Sequence, residues 1–257
     1  MSDLQIYKEI TEIINSRKEA ALVTVIAASF STPRETATKM LVKPDGSITG
    51  TIGGGAVEAE VIKTAIEIIK TGKAQKHQFK LIPGESPGMI CGGEMEVFIE
   101  PITPTPVIYI FGAGHISKVL AKISKLLGFM VTVIDDRKDY ANKERFPDAD
   151  QILVDDFEKV FSKLNIDKRS YIVIVTRGHL HDERVLSKAV HTPAGYIGMI
   201  GSKSKVKTIL NNLLASGVEK EVLEKVHSPI GLDIKAETPE EIAISIMAEV
   251  IKVYRSF

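Results

Sequence analysis

Val107-Ile108-Tyr109-Ile110-Phe111-Gly112-Ala113-Gly114-His115-Ile116-Ser117 decides the reading of the fold. Four successive apolar residues, Val107 to Ile110, predict a strand buried on both faces, as in a parallel sheet. Gly112 and Gly114 then permit a sharp turn and the close backbone approach that a pyrophosphate requires. A helix beginning near His115 offers unpaired N–H groups to an anion. The segment therefore predicts a dinucleotide-type phosphate cradle, with a turn-making role for the glycines alone as the plainer alternative.

The surroundings support the first reading. A second apolar run, Met130 to Ile134, follows after a helix-length interval and ends at Asp135 and Asp136. That is about 20 residues past the glycines, where a ribose-binding carboxylate is expected. Asp135 is the ribose candidate, and its carboxylate would favour NAD over NADP. Ser117 stands where a third glycine or alanine usually allows tight helix packing. Further apolar runs at Gln151–Val154, Tyr171–Val175 and Tyr196–Ile200 alternate with helix-like segments, predicting a parallel sheet of order 3-2-1-4-5 covered on both faces.

Working outward toward the N-terminus, Pro101, Pro104 and Pro106 interrupt the chain, and proline removes both a ladder donor and helical continuity. The expected boundary falls at residue 103, giving an α+β domain over 1–103 and a Rossmann-like α/β domain over 104–257. In the first half Ala21–Ala28 and Met95–Ile102 read as strands. Met40–Lys43 and Ser47–Thr51 flank the hairpin turn Pro44-Asp45-Gly46. Val57–Lys70 has an apolar face at helical spacing. At the other end, Thr238-Pro239-Glu240-Glu241 announces a capped helix over Glu240–Tyr254.

Composition narrows the function classes. The 257 residues are 44% hydrophobic and 26% charged, which suits a globular chain with interior enough for two modest domains. The 33 basic and 33 acidic side chains cancel. No general attraction to nucleic acid or to an anionic membrane is built in. One cysteine, Cys91, excludes an intrachain disulfide framework and points to a reducing, cytoplasmic setting. The first 20 residues carry charges at helical spacing rather than a leader's continuous apolar core, and no apolar run reaches the ~20 residues that cross a bilayer.

Several constellations could carry chemistry. Ile52-Gly53-Gly54-Gly55 joins a strand to the helix Val57–Lys70 and reads either as an anion nest or as a flexible turn. Arg34, in Ser31-Thr32-Pro33-Arg34, can add a forked donor to the same anion. Cys91 lies in a glycine frame, Gly88 to Gly93. It is either a soft thiolate donor suited to molybdenum or sulfur chemistry or a small buried hydrophobe. Thr176-Arg177-Gly178-His179-Leu180-His181-Asp182 follows a parallel strand at the edge where ligands bind, so His179 and His181 with Asp182 suit metal binding, proton transfer or simple capping. His115 would face the same crevice. Ser202 and Lys203, in Gly201-Ser202-Lys203-Ser204-Lys205, suit a second phosphate or a pterin side group, against an ordinary helix cap. His227-Ser228-Pro229-Ile230-Gly231-Leu232-Asp233 has no derivable mechanism.

Taken in order, Ser31-Thr32-Pro33-Arg34, Ile52 to Gly55, Cys91-Gly92-Gly93, the Phe111–His115 turn, Thr176–Asp182, Gly198–Lys203, and His227 to Ile234 with Thr238 to Ile246 resemble the XdhC/CoxI family of xanthine dehydrogenase accessory factors. The resemblance implies an N-terminal XdhC/CoxI domain and a C-terminal Rossmann domain. It also implies a chaperone-like role: binding molybdenum cofactor and passing it, sulfurated, to a xanthine dehydrogenase-like molybdenum hydroxylase. A cysteine desulfurase is the implied sulfur source, and turnover is not required. Phe30 and Ala37 stand where the resemblance leads one to expect glycines, and Ala56 where many relatives carry a cysteine. Cys91 would then act alone on the metal or its sulfur. The rival expectation is an NAD(P)-dependent oxidoreductase, with Asp135 on the ribose and His115 or His179 as proton donor, or a binding protein regulated by a nucleotide. A homodimer is expected only because twofold assemblies are common.

Overall fold

A computed structural model describes residues 3–29, 36–81 and 93–256, and separates into two compact units, Met1–Pro104 and Thr105–Phe257. The first is built on an antiparallel sheet. Its elements are helix α1 (Asp3–Asn15), β1 (Ala20–Ser29), β2 (Lys39–Val42), β3 (Ile48–Gly50), α2 (Gly55–Thr71), β4 (Gln75–Leu81) and β5 (Gly93–Ile102), with strand order β3-β2-β1-β5-β4. Alternation along β1 explains the layering. Ala21, Val23 and Val25 point to the face covered by Val57, Val61, Ala65 and Ile68 of α2, whereas Ala20 and Leu22 point to Ile6 and Ile13 of α1. Strand β4 departs from the expected pattern. Gln75-Lys76-His77-Gln78 is too polar to signal a strand, yet it pairs with β5 because an edge strand need bury only one face, here through Phe79.

The second unit contains β6 (Val107–Phe111), α3 (His115–Leu126), β7 (Met130–Asp135), β8 (Gln151–Val154), a 3₁₀ turn (Lys159–Lys163), β9 (Ser170–Ile174), α4 (His179–Ala189), β10 (Tyr196–Met199), α5 (Lys203–Ala215), the short α6 (Lys220–Leu223) and α7 (Pro239–Tyr254). All strand pairs are parallel, in the order β10-β9-β6-β7-β8. Numbered within this unit, that is 3-2-1-4-5 read from the β8 edge, the doubly wound order. Every residue of β6 is buried. Ile108 and Ile110 pack under α3 and α7, and Val107, Tyr109 and Phe111 pack under α4 and α5. Helix α7 starts on the capping box read in the sequence, Thr238 accepting from the Glu241 N–H while the Glu241 side chain accepts from the Thr238 N–H.

The segment after α6 is structural. His227 forms a parallel bridge to Gly198, donating its N–H to the Ile197 carbonyl while its own carbonyl accepts from Met199 N–H. The expected helix Val206–Leu214 begins earlier, at Lys203, because Ser202 caps it. Among the described residues, no helix is long and apolar enough to cross a membrane.

Candidate functional site

The carboxyl edge of the parallel sheet gathers most of the residues of interest. Between β6 and β9 the strand order reverses direction, and open α/β sheets bind ligands beyond the strand ends at such a point. Gly112 sits there with φ +108°, and a Cβ on it would lie 2.4 Å from the Val175 carbonyl oxygen, so no other residue fits. Gly114 then serves as N-cap of α3 and Gly178 as N-cap of α4, both in extended backbone and neither with a side-chain cap. A Cβ at either would meet nothing within 4 Å. Two helices thus begin on uncrowded glycines at this edge, and a helix start without a side-chain cap favours an anion. His115 and His179 are exposed in the first turns of these helices.

Asp135 ends β7 as expected, but its carboxylate is fully engaged. Its Oδ2 accepts from Ala113 N–H (2.8 Å) and Arg137 Nη2 (3.0 Å), and its Oδ1 accepts from Arg137 N–H (3.1 Å) and Nε (2.8 Å). A carboxylate has about four acceptor positions, and these four donors use them. Asp135 is 1% exposed and ties the glycine turn to the end of β7. It holds the Arg137 guanidinium above its ordinary value. The guanidinium lies 3.7 Å from the centroid of Tyr140, and that of Arg145 lies 5.1 Å from the same ring.

The next carboxylate, Asp136, forms a forked ion pair with both terminal nitrogens of Arg177, which keeps it below the usual carboxylate range. Since Asp136 follows β7, Arg177 follows β9 and β6 runs between them, this pair spans the top of β6 beside the glycine turn. A third acid, Asp182, is wholly buried. It accepts from Thr176 N–H (3.1 Å), Thr176 Oγ1 (2.6 Å) and Lys205 Nζ (2.5 Å), fixing the β9–α4 turn to α5. Asp182 is therefore committed to structure, and His181 packs edge-on against Phe157. No group of three or more His, Cys, Asp or Glu able to hold a metal is present among the described residues.

The other glycine turn differs. The Glu58 carboxylate, one turn into α2, accepts from Ile52 N–H (3.1 Å), Gly54 N–H (3.1 Å) and Thr51 Oγ1 (2.5 Å), while Gly53 N–H goes to Thr51 Oγ1. The anion in the Gly53-Gly54-Gly55 nest is the chain's own. Sequence spacing contained the signal, a glutamate four residues after Gly54, within reach of the orphan donors at a helix start. Ser202 accepts from Lys205 N–H as the cap of α5. Exposed Lys203 lines a groove of about 390 Å³ between α5, α6 and Ser228–Pro229. Arg34 and Cys91 lie outside the described residues.

Comparison with known proteins fits this arrangement. Residues 13–80 match the model of the XdhC and CoxI family, and residues 108–250 match that of the XdhC Rossmann domain. This chain belongs to the XdhC/CoxI family. Within it, the chain is 34% identical over 253 residues to the uncharacterized protein YqeB of Escherichia coli (strain K12), covering 97% of this chain and 46% of that protein. It is also 34% identical over 156 residues to a probable xanthine dehydrogenase subunit of Bacillus subtilis (strain 168), covering 61% of this chain and 45% of that one. The XdhC/CoxI chain thus spans about half the length of these curated relatives. A crystal structure of a xanthine dehydrogenase from Bacillus halodurans superposes over 100% of this chain and 96% of its own, with TM-score 0.55 at 22% identity, a likeness of fold.

Proposed function

We propose that this XdhC/CoxI protein is a maturation factor that binds molybdenum cofactor and passes it to a xanthine dehydrogenase-type molybdenum hydroxylase. The Bacillus subtilis relative, described as part of a xanthine dehydrogenase, supports the client class. One observation carries the binding site: α3 and α4 both start on uncapped glycines facing open space at the switch point of the sheet. That cradle fits the phosphate of a pterin cofactor better than does the Gly53–Gly55 turn, whose donors Glu58 already holds. Gly112, Gly114 and Gly178 would let the phosphate approach the backbone, with the exposed side chains of His115, His179 and Arg177 around it. The cofactor brings the redox-active metal; the chain's task is to hold an anion and release it. Cys91 is the proposed contact to the metal or its sulfur, Arg34, Ser202 and Lys203 further cofactor contacts, and a cysteine desulfurase the sulfur source.

The test is co-elution of purified molybdenum cofactor with the protein, comparing wild type with Cys91→Ala. Binding by wild type and its weakening in the variant are expected. Failure of wild type to retain the cofactor would reject the proposal.

A second reading rests on the same glycine turn. The Gly112-Ala113-Gly114 turn between β6 and α3 favours an NAD(P)-type dinucleotide, as regulator of the hand-off or as redox cosubstrate with His115 or His179 as proton donor. Titration with NAD(H) and NADP(H), followed by nucleotide fluorescence, tests it.

A further inference from the structure

We infer that the ribose subsite at the end of β7 takes a phosphorylated ribose rather than a free diol, so that any dinucleotide bound here is of the 2′-phosphorylated class. The inference rests on the nucleotide reading above and reverses the preference that Asp135 suggests in the sequence.

In a doubly wound fold the adenosine ribose lies against the end of the second strand. There an acid selects the 2′-hydroxyl, or an arginine accepts a 2′-phosphate. The acid of this chain is present but spent, because its two oxygens hold four donors, three of them from Arg137. A ribose diol has only donors to offer this carboxylate and would have to displace the forked arginine to reach it.

The basic groups tell the complementary story. Arg137 is balanced by Asp135, and Arg177 by Asp136. Arg145 has no ion-pair partner among the described residues. Its Nη2 donates to the carbonyl of Ala113 inside the glycine turn at 3.3 Å, and its Nε is buried without a hydrogen-bond partner. Nε itself is enclosed, but the side chain as a whole is part-exposed, so its charge remains open to a ligand. It lies beside Tyr140, whose ring already carries Arg137, so an aromatic surface and an uncompensated positive charge flank the glycine turn together. A phosphomonoester dianion supplies both the charge and the acceptors that this corner lacks.

Equilibrium titration of the full chain with 5′-AMP, 2′,5′-ADP and 3′,5′-ADP at fixed ionic strength tests the inference. We expect 2′,5′-ADP to bind at least about tenfold more tightly than 5′-AMP, the scale of one good charge-assisted contact. Arg145→Gln, which also removes the donor to the Ala113 carbonyl, is expected to bring the ratio of the two affinities to about one whatever it does to the affinity for 5′-AMP; a retained ratio overturns the inference. Equal or tighter binding of 5′-AMP overturns the inference but keeps the nucleotide reading. Equal affinity for 3′,5′-ADP also overturns it, by showing undirected charge attraction. Binding of none of the three removes the nucleotide reading and the inference with it. The wild-type ratio is decisive even if the variant fails to fold.

Discussion

Single residues at the carboxyl edge show where chemistry and packing compete. Gly112 combines a left-handed backbone with a 2.4 Å approach to the Val175 carbonyl oxygen. Gly112→Ala is expected to cost about 2 kcal/mol or more, read as a lowered urea midpoint, and to abolish anion binding at the turn. Away from the crevice, Glu249 on α7 accepts from Tyr196 Oη (2.6 Å) and Gly231 N–H (3.0 Å) and pairs with His227 Nδ1 (3.3 Å). Burial pushes its pKa up, but these partners outweigh burial and leave it below the ordinary glutamate value. Burial and Glu249 together raise the Tyr196 hydroxyl. The sign follows: a lowered folded-state pKa stabilises above the ordinary value near ~4.3 and is lost as pH falls through the folded value. The urea midpoint of wild type should therefore exceed that of Glu249→Gln at pH 6 and converge with it in acid; a pH-independent gap would contradict this role. Residue-level reading of the sequence located Asp135 but not its engagement, since Arg137 becomes its fork only once the chain turns after β7.

At the scale of elements, four helix starts illustrate three ways to meet orphan N–H groups. Helix α7 uses a capping box, and Thr238→Ala should lower stability by about 1 kcal/mol in chemical denaturation. Helix α2 uses Glu58, which reaches back to the backbone ahead of the helix as a tethered anion. Glu58→Ala is expected to destabilise the protein by about 1–3 kcal/mol, because several donors lose their acceptor at once; an unchanged melting temperature would show those donors to be solvated instead. Helices α3 and α4 have no side-chain cap at their glycine N-caps, and in the proposed function a ligand's phosphate meets their first N–H groups. The capping box and the β6–turn–α3 unit were legible because their signals are local. Glu58's service to Ile52 and Gly54, and the Asp182 anchor to Lys205, were not: the first depends on a loop conformation, the second on two residues 23 positions apart meeting in space.

For the whole molecule, the sequence order of motifs carried the family and the alternation of apolar runs carried the doubly wound sheet, because both faces of every central strand must be buried. What spacing cannot carry is the state of the donors, which separates two glycine turns that look alike in the sequence. In the first, Glu58 takes the Ile52 and Gly54 N–H groups ahead of α2; in the second, Ile134 and Asp135 take the Gly112 and Ala113 N–H groups, and the N–H groups that open α3 receive no side-chain cap. The central claim is that the uncapped start of α3 at Gly114 holds the phosphate of a delivered cofactor. Gly114→Asp tests it most directly. Position 114 is extended and uncrowded and aspartate is a good helix cap, so the fold should persist while a negative charge occupies the cradle. Measured by pterin fluorescence on binding of molybdenum cofactor, wild type should bind and Gly114→Asp should bind at least about tenfold more weakly at an unchanged melting temperature. Equal affinity in the two proteins would contradict the account.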